Sequence, residues 1–566
     1  MLTINDGTVV SVPENGVVLF VGPNNAGKSQ ALRDISKLVT SQGEIGVVVA
    51  SAAVEYRGTV EELLAQFAAE RALVHSTTSG DTVALGPMGN QPVGNISSWW
   101  GGGAAHIIAP YFVLLADTES RLRASEPTAA LDLFQNNPVH PLHLIYLQPA
   151  IEDRINQISR EAFGQGVILD VWAGGSKWAL RVGELARPNS PRPDEEYLDQ
   201  LRSLPLLHDQ GDGVRSMLGL LVGFLTGHQT ISLVDEPEAF LHPPQARFLA
   251  KLLAADSEQE ARATFLSTHS SDVVHGTLEG STPTTVVRLS RSGSTNRAAV
   301  LDNDAVRRLW SDPLLRYSNL LEGLFTDAVV ICESDADCKF FASIRDTLGT
   351  VGEGFRRPDI LFTSCGGKSR MHVGLEALRA ASVPVVVIGD FDVLNDWLTV
   401  SRLVTKAGGE PSRFEADWRT LNSALTAAAR TPSVAGMKEA VLAAFEGIEQ
   451  ATVKTLAPVR EALKIENGWD RVKNTGMGGV PKGNPYNAAS RLLAGLRELG
   501  IFLVPIGEME DFAPSVSGHG PGWLADVLEQ GLHESSECDD AREFLAAALD
   551  SVSVAARPPA AVESVT

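Results

Sequence analysis

The 566-residue chain is poor in cysteine, in aromatic residues (6%) and in positive charge. Its four cysteines, Cys332, Cys338, Cys365 and Cys538, form no C-x-x-C pair and no ladder of short spacings. That excludes a disulfide framework or a cysteine zinc site and reads them as small buried residues. Only 47 Lys+Arg stand against 69 Asp+Glu, a net charge of −22. A blanket polyanion-binding surface is thereby excluded, and any contact with nucleic acid has to run through a local basic channel or through metal ions. No run of ~18 or more residues is both uncharged and strongly apolar, so no membrane span is expected. The start, MLTINDGTVV, lacks a basic stretch followed by an apolar one, so the expectation is a cytoplasmic chain without an export signal. No internal period of ~20–50 residues stands out, which argues against a solenoid. What is present is a globular balance, 44% hydrophobic and 20% charged, with mean hydropathy +0.02. The length suits about three to four domain-sized units.

The pattern of apolar residues predicts two α/β units. Gly16 to Val21 is a β-branched run halted by Gly22-Pro23, a buried strand entering a loop, and Ala31 to Val39 repeats apolar residues at helical spacing. Helices are expected over Ile151–Phe163 and Val214–Leu225, and strands over Thr230–Val234 and Thr264–Ser267. The segment 187–193, rich in proline, reads as a surface loop, and 290–320 as a hinge. A second unit begins at Ala328–Cys332, with further strands at Val383–Ile388 and Ile501–Pro505. The expected domains are 1–310 with an insertion at about 50–200, 320–515 with an alanine-rich helical insertion at about 400–470, and 516–566, a helix with a disordered tail.

Gly22-Pro-Asn24-Asn25-Ala-Gly27-Lys28-Ser29 fits G-x-x-x-x-G-K-[ST] in full, between a buried strand and a helix. Its glycines let backbone N–H groups wrap phosphates, Lys28 reaches the terminal phosphates, and Ser29 ligates Mg²⁺ at the positive end of the helix. Two hundred residues on, Ile231-Ser-Leu-Val-Asp235-Glu236 is a strand ending in two carboxylates. Asp235 is the candidate to hold Mg²⁺ through water, and Glu236 the candidate to polarise the attacking water. The continuation Pro237-Glu238-Ala-Phe-Leu241-His242-Pro243 and the later Ser267-Thr268-His269-Ser270 resemble the ABC-type ATPases of the SMC, RecF and OLD (overcoming lysogenization defect) kind. That resemblance implies that His269 senses the γ-phosphate. It also implies that Gln210-Gly211-Asp-Gly213-Val-Arg215-Ser216 is the signature segment, which places Gly213 and Ser216 against a partner subunit's ATP, and it makes Gln148 a weak candidate for the Q-loop glutamine.

The second unit gathers acids at strand ends. Val329-Val-Ile-Cys-Glu333 is a buried strand ending in glutamate, with Asp337 four residues on, and Val383 to Ile388 runs into Gly-Asp390-Phe-Asp392. Residues two apart on a strand share a face, which would bring Asp390 and Asp392 together. Between them, Ser364-Cys-Gly-Gly-Lys368-Ser369 resembles a strand-end turn. Carboxylates crowded at the carboxyl ends of parallel strands repel one another, and hard-metal ligation is the natural compensation. Two Mg²⁺ or Mn²⁺ held this way suit phosphodiester cleavage.

Glu followed by Asp-x-Asp resembles the TOPRIM domain of topoisomerases, primases and OLD-family nucleases, and Gly507-Glu508-Met-Glu510-Asp511 looks like the later acidic element of the OLD nucleases. Glu510 is its best match as a metal ligand, with Glu508 second. An ABC-type P-loop ATPase followed by a Rossmann-like TOPRIM domain with a helical insertion is the OLD architecture, related to the Gabija nuclease subunit, and the resemblance covers roughly residues 1–515. Two departures are visible. Ile506 stands near the place of the expected catalytic lysine, with Lys482, or else Lys473, in the glycine-rich loop 471–483 as a substitute, and Ser334 replaces the usual turn glycine. The resemblance implies an ATP-dependent or ATP-regulated endonuclease acting in anti-phage defence. ATP and Mg²⁺ or Mn²⁺ are its implied cofactors, and DNA its substrate. Its implied partners are a second copy joined through the ATPase heads and a companion defence protein. Two rivals stay open: an ATP-switched scaffold with an inactive TOPRIM fold, and an RNA- or tRNA-cleaving effector.

Overall fold

A computed structural model describes residues 1–555 apart from 71, 75–79, 86–87, 134–135, 137, 173–174, 189–192, 228, 281, 293–294, 305, 308–318, 350–357, 428–432, 447–451, 453–455 and 464–467. Most of the expected proline-rich loop, much of the hinge and the tail from 556 onward therefore lie outside the described residues. The chain divides into two compact units, Met1–Ser311 and Asp312–Thr566. No helix among the described residues is long and apolar enough to cross a membrane.

The first unit is built on a six-stranded sheet. Its order is Thr295–Leu301, Thr284–Ser292, Val17–Val21, Ala263–Ser267, Ile231–Asp235, Val113–Ala116, parallel throughout except for the edge hairpin made by the first two strands. Val17–Val21 is buried at every position, as expected for a strand covered on both faces. The Lys28–Thr40 helix packs Ala31, Leu32 and Ile35 into a core shared with Phe20, Leu233, Phe265 and Val287. The expected insertion at about 50–200 is not a single appendage, because its Val113–Ala116 segment pairs in parallel with Ile231–Asp235 and is a strand of the main sheet. Asp117 accepts a hydrogen bond from Ser120 N and so caps the Thr118–Ala124 helix that follows.

The second unit has a four-stranded parallel sheet in the order Ile360–Ser364, Ala328–Cys332, Val385–Gly389, Ile501–Leu503. The Asp335–Thr347 helix lays Phe340, Phe341 and Ile344 on one face of this sheet. The segment after 515 is no separate appendage. Trp523, Leu524 and Val527 of the Gly520–Glu529 helix and Ala541, Phe544 and Leu545 of the Asp539–Ala555 helix are buried in the same core, with Phe544 6.1 Å from Phe502. All four cysteines are buried, and burial pushes the Cys332 thiol well above its usual range and that of Cys538 up to about 11. The expected glycine-rich loop 471–483 is half helical: Gly468–Thr475 is an α-helix, followed by a 3₁₀ turn at Gly476–Gly479.

Candidate functional site

Two constellations stand at the carboxyl ends of the two parallel sheets, one in each unit. In the first, the loop between Val17–Val21 and the Lys28–Thr40 helix has Gly22 at φ 139° and Gly27 at φ 95°. A Cβ on Gly22 would lie 2.0 Å from the Leu289 carbonyl oxygen, so only glycine lets the loop pass under the hairpin. Lys28 Nζ donates to the carbonyls of Gly22 (2.8 Å) and Pro23 (3.1 Å), and burial lowers its pKa. Asn24 and Asn25 are exposed, Asn25 at φ 64°, and Ser29 opens the helix beside Lys28.

Asp235 ends its strand and accepts a hydrogen bond from Ser267 Oγ on the neighbouring strand. Glu236, the next residue, sits at φ 48°, a conformation that costs a non-glycine residue ~1–3 kcal/mol and that surrounding contacts must impose. Those contacts come from Glu236 N, which donates to the Ser267 carbonyl (2.9 Å), and from Arg121. The Arg121 guanidinium donates through Nη1 to the Asp235 carbonyl (2.8 Å) and through Nη2 to the Glu236 carbonyl (3.0 Å), and the residue is 1% exposed. Burial lowers its pKa, opposed by the charges of Glu238, Asp235, Asp117 and Glu236. Sequence reasoning missed Arg121, since one arginine on an amphipathic helix carries no motif. His269 Nδ1 lies 3.5 Å from both Glu236 and Glu238, while its backbone N–H donates to Glu238 Oε1 (3.0 Å).

The signature segment differs from expectation. Ser216 is 1% exposed inside the Asp212–Thr226 helix and has no surface to offer a partner, whereas Gly211 and Asp212 are exposed and Gly213 half-buried at the helix N-terminus. Gly213 is held by close approach, its Cβ position lying 2.6 Å from the Phe240 carbonyl oxygen. Gln148 is an exposed residue between the Pro141–Leu147 and Pro149–Phe163 helices and has no described contact with the phosphate loop.

Comparison with known families adds one match. Residues 106–274 fit the family described as "AAA domain, putative AbiEii toxin, Type IV TA system". The match spans the Val113–Ala116 strand, Arg121, Asp235–Glu236 and His269, and the Gly22–Ser29 loop completes the site from outside it. The first unit carries a P-loop ATPase domain. Among solved structures, the chain is similar to an SMC head bound to the C-terminal winged-helix domain of ScpA (11% identity, 53% of this chain and 94% of that one, TM-score 0.32). It is also similar to the Pyrococcus furiosus SMC head with an extended coiled coil bound to the C-terminal domain of ScpA (10% identity, 55% and 97%, TM-score 0.31). No curated protein matches the sequence. Within the P-loop ATPase domain, Glu236→Gln keeps the shape of the side chain but cannot accept a proton from water. ATP hydrolysis is expected to fall ~10²-fold or more, with ATP affinity held within a few fold, as phosphate release and a fluorescent-nucleotide titration will read.

In the second unit, Glu333, Asp390 and Asp392 each bring one carboxylate oxygen within 4.8 Å of the others. The route differs from the expected alternation along a strand. The strand ends at Gly389, and Asp390 opens a 3₁₀ turn, Phe391–Asn395, that carries Asp392 back over the sheet edge. Burial pushes Glu333 up to about 7, helped by Asp392 and Asp337 and opposed by Lys368. Asp390 rises well above the carboxylate range through burial and the charges of Glu333, Asp337, Asp392 and Glu508. Glu333 Oε1 and Asp392 Oδ1 are buried without a hydrogen-bond partner among the described residues. Asp337 stands apart from this trio. It closes a capping box with Ser334, each side chain accepting the other's backbone N–H (2.9 and 3.3 Å), so Ser334 replaces a turn glycine with a helix cap.

A neighbouring group joins Glu508, Glu510 and His519, again within 4.8 Å of one another, with Glu510 Oε1 also accepting from Gly520 N (2.8 Å). The lysine here is Lys473, whose Nζ lies 3.0 Å from Glu508 Oε1. That bond raises the Lys473 pKa, and the charges of Asp392 and Asp390 add to it. Lys482 lies over the Tyr486 ring, 4.3 Å from the centroid, and among the described residues no ion pair joins it to an acid of either group. Lys473 reaches Glu508 because its helix docks on the 505–508 turn. Met477 N donates to the Pro505 carbonyl (2.8 Å), and a Cβ on Gly507 (φ 131°) would lie 2.6 Å from the Lys473 carbonyl oxygen. The sequence also gave no sign that Lys368 Nζ pairs with Asp392 Oδ2 at 2.7 Å, nor that His519 completes the second group.

Proposed function

We propose that this protein is an ATP-regulated, divalent-metal-dependent endonuclease that nicks or cuts DNA, with a TOPRIM-like second unit as the OLD resemblance implies. The observation that supports it is the trio Glu333, Asp390 and Asp392 at the ends of adjacent parallel strands, with two buried oxygens lacking donors and a lysine on either side. Oxygen-only donors of this charge fit Mg²⁺ or Mn²⁺. Glu333, Asp390 and Asp392 would hold one ion, and Glu510, with Glu508 and His519, a second. Such ions, when bound, stabilise the attacking and leaving oxygens of a phosphodiester. Lys473 offsets negative charge beside Glu508, and Asp337 braces the helix that follows Glu333.

In the first unit, Lys28 and Ser29 would bind ATP and Mg²⁺ with Asp235, Glu236 would activate water, and His269 would read the terminal phosphate. The Gly211–Gly213 turn, in place of Ser216, would face the nucleotide of a second copy. A setting in anti-phage defence, with or without a companion protein, follows the resemblance and agrees with the toxin–antitoxin wording of the matched family.

Plasmid DNA incubated with the purified protein and Mg²⁺ or Mn²⁺, with and without ATP, tests the reading. Nicking or linearisation is expected, lost by ~10²-fold or more in Asp390→Ala/Asp392→Ala, and the ATP lanes give the sign of regulation. Intact plasmid in every lane while ATP is hydrolysed would overturn it, and total RNA offered in parallel separates an RNA-cleaving activity.

A further inference from the structure

Lys368 is the one cation that pairs directly with a member of the Glu333–Asp390–Asp392 trio among the described residues. It opens the 3₁₀ turn Lys368–Arg370 at the end of the Ile360–Ser364 strand, which lies next to the strand that delivers Glu333. Its side chain is 40% exposed and that of Asp392 16%, so the ammonium is at the mouth of the cluster and the carboxylate is inside. One Asp392 oxygen takes Lys368 while the other, Oδ1, is buried without a donor. Two glycines precede the lysine, Gly366 at φ 82° and Gly367 at φ 103°, and nothing lies within 4 Å of a Cβ built on either. The glycines are therefore demanded by backbone conformation, and the loop faces open space beside the acids.

We propose that Lys368 is the internal counter-ion of the acid trio and the contact for the DNA backbone: it neutralises Asp392 until a divalent cation binds, then turns to a phosphate of the substrate. This rests on the nuclease reading of the same site. A flexible four-carbon stem carrying a compact charge suits such an exchange. With the ion bound, Asp392 no longer needs the ammonium, and a phosphate at the mouth of the cluster does. Removal of Lys368 thus acts in opposite directions on two ligands.

The full-length protein, Lys368→Gln and Lys368→Arg are to be titrated with Mn²⁺ by calorimetry, and with a short labelled DNA duplex over a range of salt, Ca²⁺ replacing Mg²⁺ to keep the duplex whole. Lys368→Gln is expected to bind Mn²⁺ tighter, on the order of tenfold. Its duplex affinity is expected to fall, with the slope of log K against log salt shallower by about one, and Lys368→Arg to restore the slope. A merely structural lysine would weaken both ligands together. Unchanged or weaker Mn²⁺ binding by Lys368→Gln, an unchanged salt slope, or no duplex binding by any of the three proteins overturns the proposal. Failure of the wild type to cut plasmid strikes the nuclease reading instead, and leaves the two binding comparisons to decide the role of Lys368.

Discussion

Arg121→Ala is expected to unfold the P-loop unit at much lower denaturant and to abolish its ATP hydrolysis. The side chain is 1% exposed and supplies donors to two consecutive carbonyls, those of Asp235 and Glu236. Truncation removes a buried cation from among Asp117, Asp235, Glu236 and Glu238, strands both carbonyls, and leaves a cavity. Each of these is separately destabilising, and breaking a buried charge cluster from one side costs about 3–5 kcal/mol. The second consequence is local. Without those two hydrogen bonds, Glu236 has less to hold it at φ 48° and relaxes toward ordinary backbone, carrying its carboxylate away from His269. Arg121→Lys should recover part of the stability and little of the activity, because one ammonium cannot serve both carbonyls with the geometry of a guanidinium fork. Urea unfolding followed by tryptophan fluorescence, beside phosphate release, will read both effects. Wild-type hydrolysis by Arg121→Ala would show that Glu236 needs no such brace.

The acid trio gives the opposite sign: removing a charge should stabilise. Glu333 has a folded pKa of about 7 against an ordinary 4.5, and Asp390 is raised further beyond its usual range. Between the unfolded and folded values the folded protein holds more protons than the unfolded chain, so stability falls as pH rises through that window. The metal-free second unit is therefore expected to be more stable at pH 5 than at pH 8, by about 2–3 kcal/mol from Glu333 alone. Asp390→Asn removes the carboxyl that burial and the charges of Glu333, Asp337, Asp392 and Glu508 push up, and should lift the metal-free midpoint by several degrees at pH 8, with little change at pH 5. Mg²⁺ acts in the same direction on the wild type, more strongly at pH 8 than at pH 5, and should lose its effect in Asp390→Asn. Differential scanning calorimetry at the two pH values, with and without Mg²⁺, checks all of this. A wild-type midpoint that rises with pH without metal would mean that the trio is not under charge strain.

What was legible in the sequence divides by the range of the interactions involved. The Gly22–Ser29 loop, the Asp235–Glu236 strand end and the order Glu333, Asp390, Asp392 are set by contiguous residues, so apolar runs and punctuation reveal them. The two sheets likewise follow from buried β-branched strands such as Val17–Val21 and Ala328–Cys332. Arg121, Lys368 and His519 are brought in by tertiary contacts that no local pattern encodes. The sequence offers Lys482 first and Lys473 second, whereas the pairing of Lys473 with Glu508 turns on Gly507 and Gly476 allowing two backbones to meet. Ser216 shows the converse: a matching residue type lies near a motif, yet the helix turns it inward. The strand reading of Asp390 and Asp392 reached the right neighbours by the wrong geometry, because the chain leaves the sheet at Gly389.

The burial of the Asp539–Ala555 helix against Phe502 and Phe341 sets an order of events during synthesis. The strands that carry Glu333 and Asp390 leave the ribosome long before this helix does, and until it arrives one face of their sheet lacks part of its cover. The N-terminal unit completes its own core from residues already made, so it folds first. The core beneath the acid trio is complete only when the Asp539–Ala555 helix has been made. A nascent chain thus completes the Gly22–Ser29 loop and its sheet well before the acid site, and premature termination in the last stretch yields a finished N-terminal unit beside an incomplete second core.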